Sequence, residues 1–225
     1  TWHSVTYGNG IFVAVGDGSA GDALMTSPDG ITWTARSTAG DGAQWDSVAY
    51  GNGLFVAVGQ TFGMILTSPD GITWTAQSDV AGDNYWNGVT YGNGIFVAVG
   101  DSNFGEVVMT SPDGVTWTAR SAAGNNDFWT SVTYGNGLFV AVGAPAIDVG
   151  TNALMTSPDG ITWTARSVAG DDDLWNGVTY GNGLFVAVGD PIDAPGTNAL
   201  MTSPDGITVT ARSVAGDDDA WGSVT

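Results

Sequence analysis

The sequence has no cysteine and no lysine, a single histidine and only four arginines among 225 residues. Without thiols there is no disulfide framework and no thiolate nucleophile or ligand, and the redox compartment is left open. One histidine, His3, leaves no second imidazole to share proton transfer. No apolar run approaches the roughly 18 to 20 residues of a membrane-spanning helix, so membrane insertion is not expected. The first residues already belong to the repeat described below rather than to a signal peptide, and Thr1 in place of Met marks a processed product, a fragment or an expression product. No segment shows helical periodicity.

What is present is acid, glycine and aromatic side chains. The 23 acidic residues against four arginines give a formal net charge of −19, which repels phosphate backbones and argues against nucleic acid and anionic membrane as partners. Cationic proteins, divalent ions and plain solubility are the roles such charge suits. Glycine supplies 35 residues, yet 43% of the chain is hydrophobic, which marks a folded, turn-rich protein.

Internal periodicity decides the architecture. Tyr-Gly-Asn-Gly begins at Tyr7, Tyr50, Tyr91, Tyr134 and Tyr180, and Ser-Pro-Asp-Gly begins at Ser27, Ser68, Ser111, Ser157 and Ser203, with spacings of 41 to 46 residues. In the first unit the pattern predicts strand A over Trp2–Tyr7, B over Ile11–Gly16, C over Ala23–Ser27 and D over Ile31–Ser37. Asn9-Gly10 supplies the two positive-φ residues of a type I′ hairpin, and Pro28-Asp29-Gly30 a second turn. Strand B is apolar at every position, so both of its faces are buried, whereas strand D alternates like an outer strand. These features predict an all-β, five-bladed β-propeller of four-stranded antiparallel blades, a single domain over 1–225 with repeats at about 2–44, 45–85, 86–128, 129–174 and 175–220. The units are expected to wrap into a ring, because neither end carries a polar cap.

Residues Trp221 to Thr225 duplicate Trp2 to Thr6 apart from Gly222 in place of His3, so strand A occurs six times and B, C and D five times. The surplus copy closes the ring in place of the first, frays, or docks into a neighbouring chain as a swapped strand. A monomer is the expected state, with a strand-swapped oligomer as the alternative.

The phrase Ser-Pro-Asp-Gly-Ile-Thr-Trp on a C-to-D turn resembles the Asp-box of bacterial neuraminidase repeats, shortened by one residue between Asp and Trp. The whole unit is similar to blades of photosystem-assembly-factor and sialidase-like propellers. The resemblance implies the fold and assigns Asp29, Asp70, Asp113, Asp159 and Asp205 a turn-stabilising role away from any active face. It transfers no chemistry. Sialidase chemistry needs three convergent arginines, whereas Arg36, Arg120, Arg166 and Arg212 occupy one equivalent position per repeat, with Gln77 at the fifth.

Two candidate sites fall on the variable B-to-C and D-to-A loops, where most of the 18 acidic residues outside the turns lie. The runs Asp171-Asp172-Asp173 and Asp217-Asp218-Asp219 could supply oxygens to calcium, although no calcium-loop spacing is present and a solvated acidic loop explains them as well. Apart from that ion, no cofactor is implied. A tryptophan opens every strand A, and Trp45, Trp86, Trp129, Trp175 and Trp221 beside polar loops could stack on sugar rings; the competing reading packs the same indoles between blades. His3 aligns with Asp46, Asn87, Thr130, Asn176 and Gly222, a variability that reads as solvent-facing, and no catalytic residue is expected. The sequence therefore supports a non-enzymatic repeat propeller serving as a binding or structural scaffold, recently duplicated or engineered, with a multivalent lectin as the alternative. Its partner, a glycan or a protein, is unidentified, and an extracellular or surface-displayed location is preferred.

Overall fold

The computed structural model describes residues 1–18, 23–37, 44–60, 64–78, 85–101, 107–123, 128–144, 153–168, 174–190, 200–212 and 221–224. Blade 1 consists of β1 (Trp2–Gly8), β2 (Ile11–Gly16), β3 (Leu24–Ser27) and β4 (Thr34–Ala35). Blade 2 consists of β5 (Trp45–Gly51), β6 (Leu54–Gly59), β7 (Met64–Ser68) and β8 (Thr75–Ser78). Blade 3 has β9 (Tyr85–Gly92), β10 (Ile95–Asp101), β11 (Val108–Ser111) and β12 (Thr118–Arg120). Blade 4 has β13 (Trp129–Gly135), β14 (Leu138–Gly143), β15 (Leu154–Ser157) and β16 (Thr164–Arg166). Blade 5 has β17 (Leu174–Gly181), β18 (Leu184–Asp190), β19 (Leu200–Ser203) and β20 (Thr210–Ala211). Each blade is one four-stranded sheet in chain order, and the chain is an all-β, five-bladed β-propeller.

Local chemistry explains the hairpins. Asn9 sits at φ 49° and Gly10 at 79°, and the same pair recurs at the A-to-B turn of every blade. Positive φ at both central residues gives the turn the twist of its flanking strands, which is why Asn-Gly stands there. Strand D is shorter than the sequence pattern predicts: β4 is only Thr34–Ala35, not Ile31–Ser37. The cause is Asp29, whose Oδ1 accepts hydrogen bonds from the backbone N–H groups of Ile31 and Thr32, both at 2.8 Å, and so extends the turn at the expense of the ladder.

The chain divides into two compact units, one of Thr1–Ala98 with Met109–Ala119 and one of Val99–Val108 with Arg120–Thr225. In the first unit, the face that blade 2 turns toward its predecessor, its leading face, carries Trp45, Val48, Phe55, Ala57, Leu66 and Trp74. These pack on Val13, Val15, Ala23 and Leu24 of the trailing face of blade 1. Blade 3 seats on blade 2 in the same manner, Trp86, Val89, Phe96 and Met109 against Val56, Val58 and Ile65. In the second unit, Trp175, Val178, Phe185 and Met201 of blade 5 lie against Val140, Val142 and Leu154 of blade 4. Each large side chain buried this way contributes about 1.5 to 3 kcal/mol, so the blade junctions hold most of the stability.

The ends of the series differ. In blade 1, Trp2, Val5 and Tyr7 are 48%, 52% and 58% exposed. On the trailing side of blade 5, Leu184, Val186 and Leu200 are half-buried. The N-terminal copy of strand A is the one that pairs in blade 1, from Trp2 opposite Gly16 to Gly8 opposite Ile11. Residues 221–224 form no strand and lie along blade 5.

Candidate functional site

Each blade has a turn edge and a loop edge. At the turn edge, Ser27 Oγ donates to Asp29 Oδ1 at 2.9 Å and accepts from the Gly30 N–H at 2.9 Å, while the Trp33 indole donates to the Gly30 carbonyl. The same lattice surrounds Asp70, Asp113 and Asp159, and Asp205 keeps its bonds to Ser203, Ile207 and Thr208. Backbone N–H donors, led by those of the threonine three residues on, hold all five carboxyls below the usual carboxylate range, Asp205 to about 2. The Oδ1 atom of each of these aspartates is taken up by its own turn.

The tyrosine of the Tyr-Gly-Asn-Gly motif also belongs to packing. A Cβ on Gly8 would lie 2.1 Å from the Tyr50 ring, one on Gly51 1.9 Å from Tyr91, and one on Gly135 2.0 Å from Tyr180. The glycine that ends each of these A strands is therefore the seat of the next blade's tyrosine, and no side chain fits there. Gly181 has nothing within 4 Å of its Cβ position.

The loop edge holds the polar chemistry. A register shift between Trp2 and Ser4 makes His3 a bulge residue, and the same shift recurs around Asp46, Thr130 and Asn176. Bulges re-aim side chains, and these reach along the edge, with His3 exposed to solvent as its variability suggests. His3 Nδ1 lies 3.2 Å from Asp46 Oδ1 and its Nε2 lies 3.3 Å from Asp17 Oδ2. Gln60 donates to Asp46 Oδ1 at 3.3 Å. In the second unit Thr130 Oγ1 donates to the Trp175 carbonyl and Asn176 Nδ2 to that of Trp221. The variability of this position in the sequence thus hid a bridging role, and only the bulge, invisible in residue types, reveals it.

Burial raises the pKa of Asp46, with His3 as the chief opposing influence, and burial also raises that of Asp101. Asp46 Oδ2 and Asp190 Oδ1 are buried with no hydrogen-bond partner among the described residues. The three groups Asp17, His3 and Asp46 are strung along opposite sides of one imidazole and do not converge on a point. Among the described residues no set of three or more His, Cys, Asp or Glu is placed to hold a metal ion. Ser4 Oγ, one residue from His3, accepts the Val48 N–H at 3.2 Å and is occupied in joining blades.

The sequence-derived candidates divide. Trp45, Trp86 and Trp175 are fully buried with their faces covered by the blade junctions, Trp129 is fully buried too, and Trp221 is 41% exposed. Asp171, Asp172, Asp173, Asp217, Asp218 and Asp219 lie outside the described residues. Arg36, Arg166 and Arg212 each donate Nε to a threonine of the adjacent strand in their own blade, Thr26, Thr156 and Thr202, and Gln77 does the same with Thr67. These cations tie strand D to strand C.

No family of known sequences matches the chain, and no curated protein does. Solved structures do. A catalytically inactive virginiamycin B lyase from Staphylococcus aureus with quinupristin aligns at TM-score 0.81 and 11% identity, over 99% of this chain and 73% of its own. The computationally designed Ika8 protein aligns at TM-score 0.67 and 12% identity, over 100% of this chain and 65% of its own. YCF48 bound to D1 peptide aligns at TM-score 0.56 and 18% identity, over 91% of this chain and 64% of its own. The likeness is to propellers. At these identities it shows the fold alone, and the chain spans just under two thirds of the designed protein and of YCF48.

Proposed function

We propose that the chain is a non-enzymatic propeller scaffold that binds a cationic protein segment along its loop edge. The observation that carries this reading is the unequal use of charge. Arg36, Arg166 and Arg212 are turned onto their own blades, while the loop edge presents Asp17 and Asp46 in one unit and Asp101 and Asp190 in the other. Two of those carboxylates have a buried oxygen still without a donor. An arginine or lysine side chain pairs with carboxylates of this kind through their accessible atoms, and a net charge of −19 steers it inward. That YCF48, a propeller of similar fold, has been solved with a peptide lends weight to a peptide-sized partner. The absence of catalysis is supported by His3, whose two ring nitrogens face carboxylates, and by Ser4, whose hydroxyl is committed to Val48.

Fluorescence anisotropy with labelled oligoarginine and oligoglutamate peptides tests the reading. Binding of the basic peptide that falls as salt rises and weakens in the Asp46→Asn, Asp190→Asn double variant supports it. Equal binding of both peptides, or none at low salt, refutes it. Glycan-array binding lost on Trp221→Ala would favour the lectin instead.

A further inference from the structure

One position of the repeat loses its tryptophan while the surroundings are kept. Strand D starts just after Trp33, Trp74, Trp117 and Trp163 in blades 1 to 4, and Val209 holds that place in blade 5. In blade 3 the Trp117 side chain lies in a junction walled by Val56, Val58 and Ile65 of blade 2 and by Val89, Phe96 and Met109 of its own blade. In blade 5 the equivalent wall is Val140, Val142 and Leu154 of blade 4 with Val178, Phe185 and Met201. The two walls match residue for residue except that Leu154 replaces Ile65. Where an indole lies in the other junctions, blade 5 has an apolar recess with about 240 Å³ of empty space, part of it open to solvent.

The junction has not closed over the gap. A Cβ on Gly206 would lie 2.8 Å from Leu138, 3.0 Å from Val140 and 3.4 Å from Phe185. At Gly114, beside Trp117, the matching distances are 2.7, 2.9 and 3.4 Å to Leu54, Val56 and Phe96. The turn of blade 5 is thus seated on blade 4 as closely as that of blade 3 on blade 2. The ring pair in the wall is kept as well, Tyr180 and Phe185 standing 4.6 Å apart at 51°, the values of Tyr134 and Phe139. The recess also has a polar anchor. Trp74, Trp117 and Trp163 donate their indole N–H to the carbonyls of Gly71, Gly114 and Gly160 at 2.9, 3.0 and 3.0 Å. Gly206 holds the equivalent carbonyl, and the valine side chain has no donor to offer it.

We propose that this recess between blades 4 and 5 binds a free, neutral, flat heteroaromatic molecule with a ring N–H, such as indole. Its rings are received by the apolar walls, and its N–H is accepted by the Gly206 carbonyl in the way the three tryptophans use theirs. The ligand is free rather than the side chain of another protein. With the N–H on Gly206, the ring carbon that carries the chain in tryptophan points at Val209, whose own side chain stands there. A net charge of −19 favours a neutral molecule over an anion. Gly206 belongs to the turn edge of its blade, so this site is separate from the loop edge proposed to hold a cationic segment, and neither reading depends on the other.

Methionine methyl resonances of the full chain supply the test, because Met201 lines the recess while Met109 holds the same place in a junction that Trp117 already fills. Titrated indole is expected to shift the Met201 methyl saturably, with half-saturation at about 1 mM or below, and to leave Met109 unmoved. Val209→Trp supplies the indole from within and should abolish the Met201 response. In 1-methylindole a methyl replaces the donated hydrogen and strikes the Gly206 carbonyl, so binding should weaken about tenfold or more. N-acetyltryptophanamide carries its chain on the blocked ring carbon and should leave Met201 unmoved over the same range. The proposal is overturned if indole leaves Met201 in place up to its solubility, moves Met109 as far, or still moves Met201 in Val209→Trp. Equal binding of 1-methylindole overturns the bond to Gly206, and equal binding of N-acetyltryptophanamide overturns the free ligand.

Discussion

Blades 1 and 2 present nearly the same leading face and meet opposite fates. Trp45 is wholly buried while Trp2 is 48% exposed, although both open a strand A of the same pattern and both precede the same bulge. The difference lies in the neighbour. Burial in a repeat protein is a property of the junction, and a residue contributes according to what stands opposite it rather than to its own type.

That comparison can be broken or sharpened by substitution. The largest effect is expected for Trp45→Ala, which empties a buried indole site and should destabilise by about 3 to 5 kcal/mol in urea denaturation, against about 0.5 kcal/mol or less for Trp2→Ala. Equal losses would mean that the leading face of blade 1 is covered in solution. Next come the glycines. Gly51→Ala forces a methyl into Tyr91 and should cost about 1 to 3 kcal/mol, while Gly181→Ala, whose methyl meets nothing within 4 Å, should leave the midpoint unchanged.

Blade 5 offers the converse case, where the neighbour is kept and the residue differs. Val209 stands where Trp163 stands in blade 4, and it leaves a small apolar pocket lined by Val140, Val142, Leu154, Val178 and Met201. Val209→Trp should fill it and raise stability by about 0.5 to 2 kcal/mol, with its indole donating to the Gly206 carbonyl as Trp163 does to Gly160. A destabilised variant would show that the pocket had closed around valine.

The two smallest effects concern protons and have opposite signs. The turn aspartates are held below their unfolded value near 3.8, Asp205 at about 2, so in that window the unfolded chain binds more protons. Their contribution is present above about pH 4 and lost as pH falls toward 2, and a thermal melt series should show it. Asp46 is shifted the other way by burial, so ionising it disfavours the fold, a cost relieved as pH falls through its raised pKa. Asp46→Asn, matching Asn87 and Asn176 at the equivalent position, should give a small gain at neutral pH that vanishes in acid.

Much of the fold was legible because its signals are local. Asn-Gly demands positive φ, Ser-Pro-Asp-Gly demands a turn, and an uninterrupted apolar strand B such as Leu54–Gly59 demands cover on both faces. Strand D was overestimated because the reach of the Asp29 carboxylate into Ile31 and Thr32 competes with the ladder, a contest that alternation does not record. The site was less legible. Tryptophans at loop ends can stack on a sugar or on a neighbouring blade, and only burial separates the two for Trp86 and Trp175. His3 looked idle because its partners, Asp17 and Asp46, are brought to it by a bulge and by a second blade.

The short outer strands have a consequence for how such a chain reaches its structure. Five near-identical segments on one polypeptide can pair wrongly with one another, and long regular edges would let each misregistered pair persist. With an outer strand of only two residues in blades 1 and 5 and at most four elsewhere, an errant edge offers few hydrogen bonds to hold a mistaken neighbour. Brevity at the periphery thus works as proofreading, letting wrong pairings dissolve before a junction's tryptophan and tyrosine lock the right one.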